Sequence, residues 1–479
     1  MTSTPRIATL LIPLLWTFAS PSHAEPLGRK QVLERAMRDN PKVAAARARE
    51  AGAQARARQV DAARYPELSL SLGAGPGLKA SLVDGTAARS QESAYRVALD
   101  DISVVVGSQL EVVQPLYTFG KLDRRDRATT HDLRARQAQT RMARVEVALE
   151  AARMYEGLLF ARDAALFFED MERQLDETIV ATQERLARGE PDSSEAELLQ
   201  LQSAKSAARL GLSQSRAARE SASAGLRAFL GLADNDAALE LADEELAPVG
   251  GAPGDLAEHL RQAAVHRPEL RALSEAASAL DALAQAHQAD GLPDLFALGF
   301  VSAAYTPGRD LVRSRYIVDP QQHFVPGVLV GLRWRWQAGR AEARASERRA
   351  EASELARTHD WALAGIPAEV QRAYQQAARA RDDIAEAAKA VEVAKRWVVM
   401  VLADYTMGLA HSAALVDALE AYAGMRVSHL DAQYRYNIAM AELAAATGTL
   451  DAGAGGLYPG PASSPAPDSE GSQDVTTAP

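Results

Sequence analysis

The sequence predicts a mainly α-helical chain built from a duplicated half-domain. Each half supplies two strands to a membrane β-barrel and one long antiparallel helical hairpin. Three observations carry this expectation: a doubled motif plan, an alanine-rich and aromatic-poor composition, and short amphipathic strand patterns in a chain without a spanning helix. Asn40-Pro41 to Tyr65-Pro66 is matched by Arg267-Pro268 to Leu292-Pro293, both proline pairs being 25 residues apart. Thr118-Phe119-Gly120-Lys121 is echoed by Gln337-Ala338-Gly339-Arg340, and Leu186-Ala187-Arg188-Gly189 by Tyr405-Thr406-Met407-Gly408, so each Gly-to-Gly interval is 69 residues. A unit of over 200 residues is too long for a solenoid repeat and points to two halves that close one core together. With 5% aromatic but 47% hydrophobic residues, many of them Ala, the chain suits long, closely packed helices.

Residues 1–24 read as an export signal. Arg6 precedes an apolar stretch from Ile7 to Phe18, and Ser22-His23-Ala24 offers a small-x-small cleavage site before Glu25. No later segment has 18 consecutive apolar residues, so no spanning helix is expected. There are no cysteines, which excludes disulfides, a thiolate site and a lipidated cysteine. The net charge of −10 comes without a basic patch interleaved with aromatics, which argues against nucleic acid as a partner.

The first structural repeat is expected over 25–247. Leu27 to Arg64 is helical, broken by Asn40-Pro41 and ended by Tyr65-Pro66, because the residue before a proline avoids the α region. Leu68, Leu70 and Leu72 then alternate with Ser69, Ser71 and Gly73, and Val104, Val106, Ser108, Leu110 and Val112 alternate again. That period of two predicts strands at 66–84 and 102–116. From Lys121 the period becomes helical: Val145, Ala148, Leu149, Ala152, Tyr155 and Leu159 fall at offsets 0, 3, 4, 7, 10 and 14. The helix continues to Arg188 and would extend about 100 Å. Gly189 then serves as a C-cap, Pro191, Asp192 and Ser193 suit a new N-terminus, and a second helix returns to Phe229, completing a hairpin over 121–229.

A Pro/Gly-rich linker at 248–254 leads into the second repeat, 255–450. The order recurs: a helix, strands at 294–305 and 326–336, and a hairpin over 340–446 turning near Gly408. In the returning helix Val427, Leu430, Tyr434, Ile438 and Ala441 keep the helical spacing, and Pro367 is expected to kink the outgoing one. Residues 451–479, rich in Gly, Pro, Ser and acids, read as a disordered tail.

Four strands of this kind do not make an isolated sheet. Val328, Val330, Leu332, Trp334 and Trp336 form one apolar face, while Leu329, Gly331, Arg333 and Arg335 mark the other. That division suits a lipid-facing side and a lumen-facing side. A membrane barrel must close and needs about eight strands or more, so a four-stranded contribution implies oligomerisation. Arg333 and Arg335 are candidates for the lumen or the strand-to-helix rim, and Trp334 and Trp336 for the membrane interface. The nine His show no HxxxH or HExxH spacing, and no GxSxG or P-loop occurs. Catalysis, cofactors and metals are therefore not expected.

Asn40-Pro41, Pro66-Glu67-Leu68, Gln114-Pro115-Leu116-Tyr117 with Gly120-Lys121, Arg185 to Gly189 with Glu195, and Phe229-Leu230-Gly231 stand in a fixed order. They recur as His266-Arg267-Pro268, Pro293-Asp294-Leu295, Tyr405-Thr406-Met407-Gly408 and Ala446-Thr447-Gly448. In these marks the chain resembles the TolC-like outer-membrane efflux family. The resemblance implies a homotrimer whose twelve strands form one outer-membrane barrel in lipid and whose twelve helical rods form a periplasmic tunnel. It implies a passive exit duct docked by a periplasmic adaptor, or membrane fusion protein, and an inner-membrane transporter. It also implies that the hairpin turns at Gly189 and Gly408 lie at a periplasmic tip that shuts the tunnel.

By position, the resemblance makes Glu195 and Tyr405 candidates for the gate. Asp417 and Glu420, at i and i+3 on one helical face, join them as acids that three copies would gather into rings. The acidic pair begins nine residues after Gly408, and Ala410 stands where the family has a bridging Arg, leaving His411 as the candidate substitute. A periplasmic coiled-coil adaptor is the rival class. Such a protein carries one hairpin between β-rich domains, whereas this chain has two hairpins and two strand pairs.

Overall fold

The computed structural model describes residues 26–82, 95–189, 194–232, 239–311 and 318–450. The expected export signal and C-terminal tail lie outside the described residues. The elements are α1 (Arg29–Asp39), α2 (Pro41–Ala62), β1 (Glu67–Leu82), β2 (Tyr95–Tyr117), α3 (Lys121–Ala187) and α4 (Glu195–Phe229), followed by α5 (Leu256–His266), α6 (Pro268–Ala289), β3 (Asp294–Tyr305), β4 (His323–Arg333), α7 (Arg340–Thr406) and α8 (Ser412–Thr447). The two halves match in length. α1 and α5 have 11 residues each, α2 and α6 have 22, α3 and α7 have 67, and α4 and α8 have 35 and 36.

Each 67-residue helix, about 100 Å long, starts at a left-handed backbone position that glycine adopts at no steric cost. Gly120 has φ 78° and Gly339 φ 73°, and each turns the chain from a strand into a helix. α2 and α4 both pack on α3, and α6 and α8 both pack on α7, while α6 also lies against α3. The shorter helices are spliced end to end at the repeated prolines. Asn40 caps α2 through Lys42 N (2.9 Å), and its Nδ2 donates to the carbonyl of Phe229 at the end of α4 (3.2 Å). In the second half Arg267 takes the same place and its Nε donates to Ala446 O (2.6 Å) at the end of α8. Gly448, at φ 71°, fits because a Cβ there would sit 2.7 Å from the His266 carbonyl. The paired motifs Asn-Pro with Phe-Leu-Gly, and Arg-Pro with Ala-Thr-Gly, are thus the two sides of a helix splice.

The strands form one antiparallel sheet in the order β1-β2-β3-β4, so the halves join through β2 and β3. β2 begins at Tyr95, earlier than its alternation suggested, since it follows β1 through a register shift near Ala80. β4 also differs from the expected 326–336. Asp294 pairs with Arg333, and Pro293 precedes β3, so Trp334, Arg335 and Trp336 have no strand beside them. At the other end Ser302, Ala303 and Ala304 hold Val325, Phe324 and His323 in the ladder. Pro326 lies within β4, which in the sheet of a single chain is an edge strand, the place where proline occurs within sheets. α7 runs through Pro367 as one helix.

Three clusters of buried residues stack along the rods. One, around Val147, Ala151, Tyr155 and Leu159, joins α1, α2, α3, α4 and α8; another, around Val370 and Ala377, joins α5, α6, α7 and α8; the third lies near the hairpin turns. Alanine supplies six of the eleven buried residues of the cluster around Val370 and Ala377, which lets the helix backbones approach closely there.

Candidate functional site

In an antiparallel sheet directly opposed residues share a face, and the register sorts these strands without ambiguity. Leu68 lies opposite Val112, Leu70 opposite Leu110, Val106 opposite Tyr305, Leu110 opposite Val301, Ala297 opposite Val330, and Leu295 opposite Leu332. All belong to one face, which is apolar across the four strands apart from Ser108 and Gln114 of β2. Leu68, Leu70 and Leu72, Ile102, Val104 and Val106, Tyr305, and Phe324, Val328, Val330 and Leu332 are each more than half exposed. The other face is mixed and carries most of the polar groups, including Ser69, Ser71, Gln109, Glu111, Ser302, His323 and Arg333. There Ser302 Oγ meets His323 Nε2 at 2.8 Å, and the rings of Phe300 and Phe296 fill the places where a side chain at Gly327 or Gly331 would collide. Among the described residues no helix is long and apolar enough to cross a membrane.

The expected rim residues gather where β4 passes into α7. The Arg333 guanidinium lies over the Phe296 ring, 4.8 Å from its centroid. Trp334 and Trp336 are both exposed, and Trp334 Nε1 donates to Gly291 O (3.0 Å) at the end of α6. Across this junction Lys121 of α3 bonds Leu292 O and Asp294, both at 2.8 Å. That contact ties the first-half rod to the second-half strand.

At the far end of the rods, the α7–α8 turn closes with Gly408 at φ 76° and Leu409 N donating to Asp404 O (2.8 Å). Gly189 ends the first outgoing helix at φ 69°, and residues 190–193 of that turn lie outside the described ones. Tyr405 is buried rather than facing solvent. Its hydroxyl meets Thr182 Oγ1 of α3 at 2.8 Å, and the Arg185 guanidinium stacks 5.3 Å from its ring centroid. Ser412, also buried, donates to Gln200 Oε1 of α4 at 2.5 Å. These two contacts fasten the second hairpin to the first, on a floor of Leu175, Ile179, Leu201, Val401, Leu415 and Leu419.

Glu195, His411, Asp417 and Glu420 are all exposed. Asp417 and Glu420 flank the buried Ala418 and Leu419 and point away from the tip core, while Glu195 opens α4. Tyr405 is thus placed among core partners, whereas the acids stand on solvent-facing surfaces of their helices. Sequence reading did not single out Thr182, Gln200 and Ser412. Thr182 was legible in part, because it continues the buried stripe Met171, Leu175, Ile179 at helical spacing and a hydroxyl in such a stripe needs a partner.

A second polar cluster lies midway along the rods. Glu156 of α3, 1% exposed, accepts from Arg29 Nε (2.6 Å) and from Asn437 Nδ2 of α8 (2.7 Å). Arg29 reaches Asp243 at 3.1 Å, and the Tyr155 hydroxyl donates to the same carboxylate at 2.5 Å. Asn437 also accepts from Val249 N (2.9 Å). The segment between the repeats is thereby strapped to α1, α3 and α8. Burial pushes the Glu156 carboxyl above its ordinary value, against the opposing pull of Arg29 and Asn437. Burial also raises Tyr155, helped by its bond to Asp243.

The model of the outer membrane efflux protein family matches residues 32–232. No curated protein sequence matches the chain. Among solved structures, the CusC structures described for folding and transmembrane channel formation align at TM-score 0.67 and 18% identity, over 89% of this chain and 95% of that one. The outer membrane protein VceC of Vibrio cholerae aligns at TM-score 0.66 and 19% identity, over 88% and 96%. The open state of the Neisseria gonorrhoeae MtrE outer membrane channel aligns at 0.66 and 16%, over 88% and 89%. These likenesses show that the chain has the fold of those outer-membrane channels, and the outer membrane efflux protein model matches its first repeat.

Proposed function

We propose that the chain is the outer-membrane exit duct of a tripartite efflux or type I secretion system, a passive channel extending into the periplasm. The observation that carries this reading is the four-stranded sheet with one largely apolar exposed face and two edges, β1 and β4, that no described strand covers. In lipid such edges are untenable, because each unpaired backbone group costs several kcal/mol. Head-to-tail pairing of β4 with β1 of the next copy closes the ring. Three copies give twelve strands, matching the trimer that the family resemblance suggests. Rods of about 100 Å then hang from the barrel and form the tunnel.

Within this reading the tip is the gate. Tyr405–Thr182 and Ser412–Gln200 hold the two hairpins together, and opening separates them. Glu195, Asp417 and Glu420, repeated three times, make the entrance acidic and favour cations. A periplasmic adaptor and an inner-membrane transporter open the tip and choose the cargo, as the family suggests. A coiled-coil adaptor is a poorer fit, since it has no use for an apolar sheet face open to solvent.

The test is fractionation and heat-modifiable electrophoresis of the expressed chain. The reading requires an outer-membrane trimer that dissociates on boiling. A soluble monomer in the periplasmic fraction would sink it.

A further inference from the structure

The junction between sheet and rods holds a cleft of about 540 Å³ with an unbalanced charge. Six basic residues and three acidic ones line it. Two of the acids are engaged, Asp290 by Arg125 at 2.9 Å and Asp294 by Lys121 at 2.8 Å. Arg333, Arg335, Arg340 and Arg344 remain, facing only Glu67. None of the four forms an ion pair with a described residue. Arg333 rests on Phe296, and Arg340 donates to Gln337 Oε1 at 2.9 Å.

The duplication supplies an internal control. Relative to the paired glycines Gly120 and Gly339, Lys121 corresponds to Arg340 and Arg125 to Arg344. The first-half pair is neutralised by carboxylates and the second-half pair is not. Four like charges around one cleft repel one another, and cations in the first turns of a helix oppose its dipole. A bound anion offsets both costs. Guanidinium forks match phosphate oxygens in pairs, which makes Arg the side chain suited to that ligand.

The side on which the cleft opens selects the source of the anion. Glu67, Val113, Phe296 and Arg333 all lie on the sheet face opposite the apolar one. We infer that Arg333, Arg335, Arg340 and Arg344 form an anion site on the lumen side of the junction, taking phosphate-bearing solutes as they pass from tunnel to barrel. This rests on the duct reading, which makes the mixed face the lumen. In a trimer the sites form a basic belt beyond the acidic tip, so the duct is polarised along its length.

The test uses detergent-purified trimer and inorganic pyrophosphate, followed by titration calorimetry. Native protein binds pyrophosphate, and Arg335→Gln with Arg344→Gln weakens binding at least tenfold while the heat-modifiable trimer persists. Both positions are exposed, and neither side chain makes a hydrogen bond or ion pair with a described residue. If that pair fails to assemble, Arg335→Gln alone is measured against the same expectation of weakened binding. An intact trimer that does not bind pyrophosphate, or whose variants bind it unchanged, overturns the site and leaves the duct reading standing. Native trimer in nanodiscs of phosphatidylcholine alone binds equally well. Loss of binding when phosphatidylglycerol is added would assign the arginines to lipid headgroups and overturn the lumen site. Failure of native protein to form a trimer would overturn the duct reading itself.

Discussion

Arg placed at Val328 and Arg placed at Leu329 have opposite expected outcomes, although the residues are neighbours. Val328 is 85% exposed on the apolar face, whereas Leu329 lies on the mixed face. Val328 is the sixth residue of the 11-residue β4. Five residues at ~3.3 Å, tilted by ~40°, place it ~13 Å from either end of the strand, near the middle of a ~25 Å apolar band. Arg at that depth costs about 2–4 kcal/mol per chain, or about 6–12 kcal/mol in three copies. That is comparable with the whole stability of a typical fold, about 5–15 kcal/mol. Arg at 329 faces a water-filled lumen and stays within about 0.5 kcal/mol. Val328→Arg should therefore abolish the heat-modifiable trimer in the outer-membrane fraction while Leu329→Arg preserves it. Were both tolerated, or Leu329→Arg the damaging one, the assignment of lipid and lumen faces would be refuted.

Tyr405→Phe removes one buried hydroxyl contact while Thr182 keeps its bond to Thr178 O at 2.9 Å. The expected loss of about 0.5–1.5 kcal/mol per chain should raise the open fraction of single channels in planar bilayers roughly 2- to 12-fold for each of these contacts that opening breaks. An unchanged open fraction would remove this bond from the gate. Asp417→Ala with Glu420→Ala should reduce cation selectivity in the same assay, and unchanged selectivity would take both acids out of the pore. Glu156→Gln should flatten part of the pH dependence of thermal stability. The folded carboxyl titrates above its ordinary value of 4.5, so between that value and the raised one the folded chain holds more protons than the unfolded chain. Stability of the native protein then falls as pH rises through that window. A native melting temperature that rises through the window, or an identical slope in the variant, would contradict this.

The sequence was most informative where a backbone rule acts locally. Asn40-Pro41 and Arg267-Pro268 mark helix starts because proline fixes φ and lacks a donor. Gly120, Gly189, Gly339 and Gly408 mark turns because they stand at positive φ. Leu68, Leu70 and Leu72 betray a strand through their period of two. The end of β4 was not legible: Trp334 to Trp336 continue the alternation, yet they have no strand partner. Pro326 looked like a strand start and is an edge-strand interior residue. The tip was legible only in outline. Spacing from Gly408 singles out Tyr405, but its burial against Thr182 and Arg185 depends on a helix more than 200 residues away. The exposure of Asp417 and Glu420 likewise depends on which face of α8 the tip core claims.

By itself the sequence determined the duplication, the order of elements, the lengths of the rods and the presence of one apolar strand face. Each of these follows from periodicity, proline and glycine placement, or side-chain alternation, which act within a few residues. Only the tertiary structure decided the rest: that β2 and β3 join the halves into one sheet, and that α2 stacks on α4 and α6 on α8. It alone showed Glu156 beneath Arg29 and Asn437, and four arginines at the junction with no ion pair to a described residue. Those outcomes depend on register, packing and charge balance between segments distant in the chain, which no local pattern encodes.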